Sequence, residues 1–146
     1  MLTGNPRLKV KTSEIELSTS EECDMEDITK KVEAAIEASG LSNGTATVFV
    51  PGSTGAITTI EYEPGLLKDL PAALERVAPK GASYEHQRMW HDGNGHSHVR
   101  ASIIGPSLTV PFVNGHLSLG TWQQIVFLEL DVRPRNRSLV LTIIGE

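Results

Sequence analysis

The sequence has a single cysteine, Cys23, no long apolar run and no excess of positive charge. One cysteine cannot form an internal disulfide, and the acidic side chains beside it disfavour a reactive thiolate. No segment approaches the roughly 18 consecutive apolar residues of a membrane-spanning helix, and the first residues do not resemble a secretion signal. These absences predict a cytoplasmic protein that is not bound to a membrane.

The charge balance is acidic, with 18 acidic and 13 basic residues and a net charge of −5. An acidic surface repels nucleic-acid backbones and anionic membranes, so neither is expected as a partner. A small anionic ligand stays open, because one site can be locally positive on an acidic protein. The length of 146 residues fits one domain that can hold a core without a disulfide or a metal ion.

The hydrophobic pattern predicts a fold with more strands than helices. Residues 8–17 alternate between apolar and polar side chains, which is typical of a strand with one buried face. The acidic stretch that follows predicts a helix that begins at a capping box of Thr19 and Glu22 and ends at Gly40. Two strands joined by a Pro-Gly-Ser-Thr-Gly turn come next, followed by a short helix over residues 66–79.

The second half of the chain adds a helical turn ended by Gly105 and four strand-like runs. Residues 83–90 are polar and ambiguous, and the Val-Asn-Gly-His segment at 113–116 predicts a tight hairpin turn. Because most strands follow one another without helical crossovers, the sheets should be mostly antiparallel. The expected fold is α+β: a compact, mostly antiparallel β-sandwich with two or three helices, in one domain over residues 1–146.

The segment His-Asp-Gly-Asn-Gly-His-Ser-His, which begins at His91, holds three of the five histidines in the chain. On an extended chain His96 and His98 would project to the same side and could share a transition metal such as zinc, with Asp92 or His91 completing the shell. His86 lies shortly before the segment and could return to the same site. On a helix this spacing would instead point the two rings apart. A solvated, turn-rich loop is the alternative without a site.

A second polar segment, Val-Pro-Gly-Ser-Thr-Gly, lies between the two middle strands. Successive backbone N–H groups of a glycine-rich turn can bind an anion, and the hydroxyls of Ser53 and Thr54 would add donors. The segment lacks the lysine and the following helix of a nucleotide-binding P-loop. An ordinary hairpin turn explains the same residues.

Two further pairs of side chains could carry chemistry. Trp122 offers a flat apolar face and an indole donor, and Gln123 can both donate and accept, although core packing is the alternative for Trp122. Glu61 and Asp69 could supply a base or a metal ligand. The alternative for Asp69 is that it favours the start of a helix.

Three arginines alternate near the end of the chain, at Arg133, Arg135 and Arg137. On a strand the three side chains would share one face and could clamp a phosphate group. Exposed loop arginines are the alternative.

Several of these motifs occur together in one known family. The segment Asp-Gly-Asn-Gly-His-Ser-His, a Gly-x-Ser after an apolar run, the segment Leu-Gly-Thr-Trp-Gln and a closing Arg-x-Arg resemble the YjbQ-like family, also called the secondary thiamine-phosphate synthase family. The likeness is specific in the second half of the chain and weaker in the first. It implies a compact α+β sandwich that assembles as a homotrimer, with sites near the subunit contacts.

The resemblance also implies which residues form the site. His86 and His98 match the most regular histidines of the family, and Glu61 matches the glutamate of its Asn-Glu-Asn segment. Together with the motifs above, the candidates are Glu61, Asp69, His86 and His98 as catalytic residues, Ser53, Thr54, Asn94, Trp122, Gln123, Arg135 and Arg137 as ligand-binding residues, and His86, His91, His96 and His98 as metal ligands.

The function implied by the resemblance is a weak thiamine-phosphate synthase activity, in which a pyrimidine diphosphate joins a thiazole phosphate and pyrophosphate leaves. A divalent metal such as zinc would assist the leaving phosphates. The alternatives are a trimeric protein that binds a phosphorylated metabolite or a metal ion without turnover, and a metal-dependent hydrolase of a small ester. One departure matters: Gly52 stands where the family has a histidine.

Overall fold

A computed structural model describes residues 7–146 of the chain. These residues form eight strands and four helices, in the order β1 (Lys9–Ser18), β2 (Met25–Asp27), α1 (Thr29–Ser39), β3 (Gly44–Phe49), β4 (Gly55–Ile60), α2 (Leu66–Val77), α3 (Glu85–Trp90), α4 (Gly95–Ile104), β5 (Ser107–Val113), β6 (His116–Leu117), β7 (Gln124–Glu129) and β8 (Asn136–Gly145). None of these helices is long and apolar enough to cross a membrane.

The strands form two sheets. The larger sheet has the order β1-β8-β3-β5-β6 and the smaller one the order β2-β7-β4. Every neighbouring pair in both sheets is antiparallel. The predicted α+β fold with antiparallel sheets is therefore confirmed, but this part of the chain contains four helices rather than two or three.

The main core contains α1 and the inner side chains of both sheets. Ile28, Val32 and Ile36 follow helical spacing and are fully buried, together with Phe127 of β7 and Leu141 of β8. Burying a side chain of this size contributes roughly 1.5–3 kcal/mol to folding. A second apolar cluster lies on the other face of the small sheet, where α2 and α4 pack. The core therefore fixes the position of α4, the helix that carries the histidines.

The first helix begins later than the sequence predicted. It starts at Thr29, and the acidic stretch before it includes the short strand β2, which pairs with β7. The predicted capping box is wrong because the Thr19 hydroxyl donates instead to the buried carboxylate of Glu129, 2.9 Å away. The end of the helix at Gly40 is confirmed. A long-range contact has replaced the local cap.

The two middle strands do not form a hairpin. β3 lies in the large sheet and β4 in the small one, so residues 50–54 cross from one sheet to the other. The tight turn between β5 and β6 is confirmed, with Asn114 and Gly115 at φ 52° and 77°. Residues 50–54 cross between the sheets and belong to neither of them. The turn that these residues form borders the candidate site.

Candidate functional site

The rings of His86 and His98 lie side by side although they come from different helices. His86 is on α3 and His98 is on α4, and their ring centroids are 4.4 Å apart. Between the helices the chain reverses through His91 at φ 56° and Gly93 at φ 69°, a left-handed conformation that glycine adopts readily. The glycines in the histidine segment therefore bring α3 back against α4. The prediction that these two rings meet is confirmed.

A carboxylate and an amide fix the orientation of His86. Its Nε2 lies 3.2 Å from Oδ1 of Asp92. The amide of the buried Asn94 also contacts this ring, with a terminal amide atom 3.1 Å from Nε2 of His86. The Asp92 carboxylate and the Asn94 amide therefore hold the ring of His86 through Nε2. Within residues 7–146, Nδ1 of His86 has no hydrogen-bond partner.

His98 lines a small open cleft and has unused nitrogens. Within residues 7–146 neither nitrogen of its half-buried ring forms a hydrogen bond. The cleft has a volume of about 180 Å³, and Gly52, Ser53 and Ser102 contribute to its walls. The Ser102 hydroxyl is occupied, because it donates to the His98 carbonyl over 2.8 Å. His98 and Ser53 are therefore the side chains most open to a ligand here.

A buried ion network supports the turn that forms one wall of the cleft. Arg137 donates to both oxygens of Glu129, over 2.9 Å and 2.5 Å, and to the Thr54 hydroxyl over 3.0 Å. Both charged side chains are buried, and the Arg137 guanidinium also lies over the Phe127 ring. The turn approaches this guanidinium so closely that a Cβ on Gly52 would lie 3.2 Å from Nη1. Gly52 also has φ 116°, which few other residues tolerate.

Asp131 extends the network to Arg135. It forms an ion pair with Arg135, whose Nε donates over 2.7 Å, and it accepts a 3.4 Å hydrogen bond from Thr54. Burial alone would raise the pKa of Asp131, but Arg135 and the Val132 N–H stabilise its charge and the pKa is lowered overall. Asp131 is therefore a structural anion at physiological pH.

The predicted arginine clamp is wrong in its geometry. β8 begins only at Asn136, so Arg133 and Arg135 precede the strand and the three arginines do not share one of its faces. The charges of Arg135 and Arg137 are neutralised by Asp131 and Glu129. Arg137 contacts the turn that forms the wall of the cleft, but neither of these two candidates offers a free cationic group to it.

His96 and His98 point in different directions because both lie on α4. His96 is fully buried, and its Nε2 forms a hydrogen bond with the Glu22 carboxylate. Glu22 also pairs with Lys80 over 2.7 Å. Burial would raise the pKa of Glu22, but its bonds to Lys80 and His96 lower the pKa overall. The expectation of an extended His-x-His pair was wrong, because the segment is helical.

The four histidines predicted as metal ligands are not assembled in this chain. His91 is exposed at the end of α3. His96 lies on α4, where it is buried and bound to Glu22. In the described part of the chain, no three His, Cys, Asp or Glu side chains are grouped so that they could hold a metal ion. The residues as placed do not fit a metal centre, so no chemical step is assigned to one.

The remaining candidates lie at the other end of the small sheet. β4 begins at Gly55 beside the cleft and ends at Ile60, so Glu61 follows it after about 17–20 Å of extended chain. Trp122 is 72% exposed, which rules out core packing within this chain, and Asp69 is exposed in the first turn of α2. Gln123 holds its own turn by accepting from the Gly120 N–H and donating to the Thr59 hydroxyl.

Glu129 and Asp131, which carry the buried network, were not among the residues predicted from the sequence. A signal was present, because both carboxylates interrupt an otherwise apolar run, Ile-Val-Phe-Leu-Glu-Leu-Asp-Val. Charged residues are almost never fully buried unless they are paired. Acidic residues inside a buried strand, with alternating arginines shortly after it, therefore indicate an internal ion network.

Comparisons with known proteins agree with the motifs and the fold. Residues 13–146 match the family model described as UPF0047 protein YjbQ-like. The chain belongs to the UPF0047 YjbQ-like family. A UPF0047 protein of Methanothermobacter thermautotrophicus is 44% identical over 139 residues, which is 95% of each chain. The UPF0047 protein YugU of Bacillus subtilis is 35% identical, covering 90% of this chain and 97% of that protein.

A solved structure shows the same fold. The crystal structure of a YbjQ-like protein of unknown function from Sulfolobus solfataricus superimposes with a TM-score of 0.91 at 35% identity, covering 96% of this chain and all of that one. The family resemblance found in the motifs is therefore confirmed. The names of these relatives state no activity.

Proposed function

We propose that the cleft at Gly52, Ser53 and His98 binds a small phosphorylated metabolite, with His86 beside it as an acid–base group. The observation that carries this proposal is the pair of imidazole rings 4.4 Å apart, one held by Asp92 and the other with both nitrogens open. An imidazole without a protein partner at the mouth of a cleft can donate to a phosphate oxygen when it is protonated.

The turn supplies further donors for an anion. Within residues 7–146 the backbone N–H groups of Gly52, Ser53 and Thr54 have no hydrogen-bond partner. Consecutive free N–H groups in a glycine-containing turn form the concave arrangement that binds phosphates. The Ser53 hydroxyl is exposed beside them and also has no partner in this part of the chain. Together with His98, these groups suit a phosphate better than a neutral ligand.

A phosphate site beside two imidazoles fits the reaction that the family resemblance suggests. In thiamine-phosphate synthesis, the phosphate of one substrate would bind at the turn. The thiazole nitrogen would form the new C–N bond as the C–O bond to pyrophosphate breaks, and a protonated imidazole could donate to the leaving oxygens. The structure supplies two imidazoles for this chemistry but no free arginine at the cleft. Gly52 replaces the histidine of the family pattern, so we expect the activity to be weak.

Binding without turnover is the alternative, and the same neutralised arginines favour it. A leaving pyrophosphate needs compensating positive charge. Arg135 and Arg137 do not supply it, because their charges are neutralised by Asp131 and Glu129. A pH–rate profile with the two thiamine precursors separates the two proposals. A bell-shaped profile would support catalysis by titrating histidines, whereas no turnover at any pH would support a binding protein.

The binding proposal is tested by titration calorimetry with inorganic pyrophosphate. We expect His98→Ala to weaken binding at least tenfold, on the order of 1.4 kcal/mol. The matched control is His116→Ala, which removes an exposed imidazole from β6, far from the cleft residues in the fold. Equal affinities for the wild type and a folded His98→Ala variant would remove His98 from the site.

We also propose that the chain assembles as a homotrimer. The support in this structure is a set of exposed apolar side chains on α3 and α4, beside the histidines: Met89, Trp90, Val99 and Ile103. Neighbouring exposed apolar residues of this size commonly mark an interface between proteins. Sedimentation equilibrium of the full chain measures the subunit number, and a monomer at micromolar concentration would contradict this proposal.

A further inference from the structure

An open pocket of about 420 Å³ lies at the end of the small sheet remote from the histidines. It is formed by the first turns of α1, the segment that follows β4 and the turn that precedes β7. Small-molecule sites are usually clefts of about 300–1,000 Å³. The pocket is therefore large enough for a compact metabolite.

The walls of the pocket carry a strong negative charge. Four carboxylates, from Asp27, Glu33, Glu61 and Glu63, face one ammonium group, from Lys30, which leaves a balance of −3. A pocket with this balance repels phosphates and attracts a cation. The ligand expected here is thus opposite in charge to the phosphate proposed for the His98 cleft.

Two of these carboxylates have structural duties and two do not. Asp27 accepts the Thr29 N–H over 3.0 Å at the start of α1, and Glu63 accepts the Gly65 N–H over 2.8 Å before α2. Glu33 and Glu61 have no hydrogen-bond or ion-pair partner among residues 7–146. Because they come from separate elements, α1 and the end of β4, only the fold brings them to the same pocket.

Aromatic side chains complete the walls. The Trp122 side chain is 72% exposed, although tryptophan is highly buried on average. Tyr62 is 40% exposed, and its hydroxyl is held by a 3.0 Å hydrogen bond to the Met25 carbonyl. The face of an indole or phenol ring attracts cations through its electron-rich π system. An exposed indole next to unpaired carboxylates is an arrangement suited to an organic cation.

A metal ion fits this pocket less well than a larger cation. In the region that the structure describes, the carboxylates are not grouped closely enough for three of them to share one ion. Spread-out carboxylates with an aromatic wall instead match a cation whose charge is distributed over several atoms. We propose that this pocket binds a small organic cation, with its charge on a quaternary ammonium group or a flat heteroaromatic ring.

The experiment uses Trp122 fluorescence as the reporter. The chain has two tryptophans, so Trp90→Phe leaves Trp122 as the only indole in the full-length protein. Choline and N-methylpyridinium serve as cationic probes, and 3,3-dimethylbutan-1-ol serves as the neutral isostere of choline. We expect a saturable change with at least one cation and at least tenfold weaker binding of the neutral isostere.

Paired charge variants locate the site. Glu33→Gln combined with Glu61→Gln should weaken cation binding at least tenfold. Glu37→Gln makes the same charge change on α1 outside this pocket and should alter the affinity less than twofold. Thermal unfolding of each variant confirms that it is folded.

Three results would overturn the proposal: no saturable signal with either cation at millimolar concentration, equal affinity for the neutral isostere, or equal effects of the pocket variant and Glu37→Gln. Because these probes carry no phosphate, none of the three results bears on binding at His98.

Discussion

The two ends of the small sheet use the same kinds of charged side chain for opposite purposes. At the end near the histidines, Arg137 and Glu129 are buried and bound to each other. At the far end, Glu33 and Glu61 line an open pocket and have no partner in residues 7–146. The comparison teaches that a charged residue near a cleft is informative only once its partners are known. A paired charge shapes the wall, whereas an unpaired one remains available to a ligand.

The same contrast separates His96 and His98, which are two residues apart on one helix. His96 is buried against Glu22, whereas His98 opens into the cleft with no hydrogen bond to its ring nitrogens in the described residues. A helix turns by about 100° per residue, so residues at this spacing face different surroundings. Proximity in the sequence therefore did not place these two histidines in one site.

Breaking the buried network should have the largest effect on stability. Arg137→Ala leaves the carboxylate of Glu129 fully buried without its cation, and we expect a loss of about 3–5 kcal/mol of unfolding free energy. Urea unfolding followed by circular dichroism measures this loss. The matched control is Arg133→Ala, which removes an exposed arginine and should change stability by less than about 0.5 kcal/mol. Similar values for the two variants would show that the network is not structural.

Neutralising Asp131, at the other end of the network, should have a smaller effect that depends on pH. The folded-state pKa of Asp131 lies below its usual value of 3.8, so its charge stabilises the fold above that value, and the stabilisation is lost as the pH falls through the folded pKa. Asp131→Asn should cost roughly 1.5–3 kcal/mol near pH 7, and the cost should shrink progressively as the pH falls below 3.8. Urea midpoints measured across this range give the difference. A cost that stays constant with pH would contradict the assigned ion pair with Arg135.

Changing the open end should affect stability least. Glu61→Gln removes a carboxylate that is exposed and unpaired within residues 7–146, and we expect a change within about 0.5 kcal/mol. The same urea experiment measures it beside the Arg137→Ala variant. A loss comparable to that of Arg137→Ala would show that the two ends of the sheet do not differ in the way described, and that Glu61 has a structural role.

Much of the fold could be predicted because its signals are local. The alternation in β1, the end of α1 at Gly40, the Asn114–Gly115 turn and the end of α4 at Gly105 each depend on a few neighbouring residues. The start of α1 could not be predicted in this way. Thr19 had a local helix-capping role available, but its hydroxyl binds Glu129, which is 110 residues away.

The candidate site was predictable only in part. His86 and His98 were expected to meet, and they do, because a glycine-containing reversal joins their two helices. The expected shared site with Glu61 and Trp122 is not formed within one chain, because β4 separates these residues from the histidines. Motif matching identifies residues that vary little within a family, but it does not measure the distances between them.

The sequence by itself determined the family, the antiparallel character of the sheets and the positions of most turns, since these depend on local spacing and on motifs. Only the tertiary structure decided which charges are neutralised and which are open. Arg137 pairs with Glu129 because the packing of the two sheets buries both side chains, and burial makes an unpaired charge too costly to remain. The cleft of His98 depends on the turn at Gly52 and Ser53, which only the fold brings beside α4.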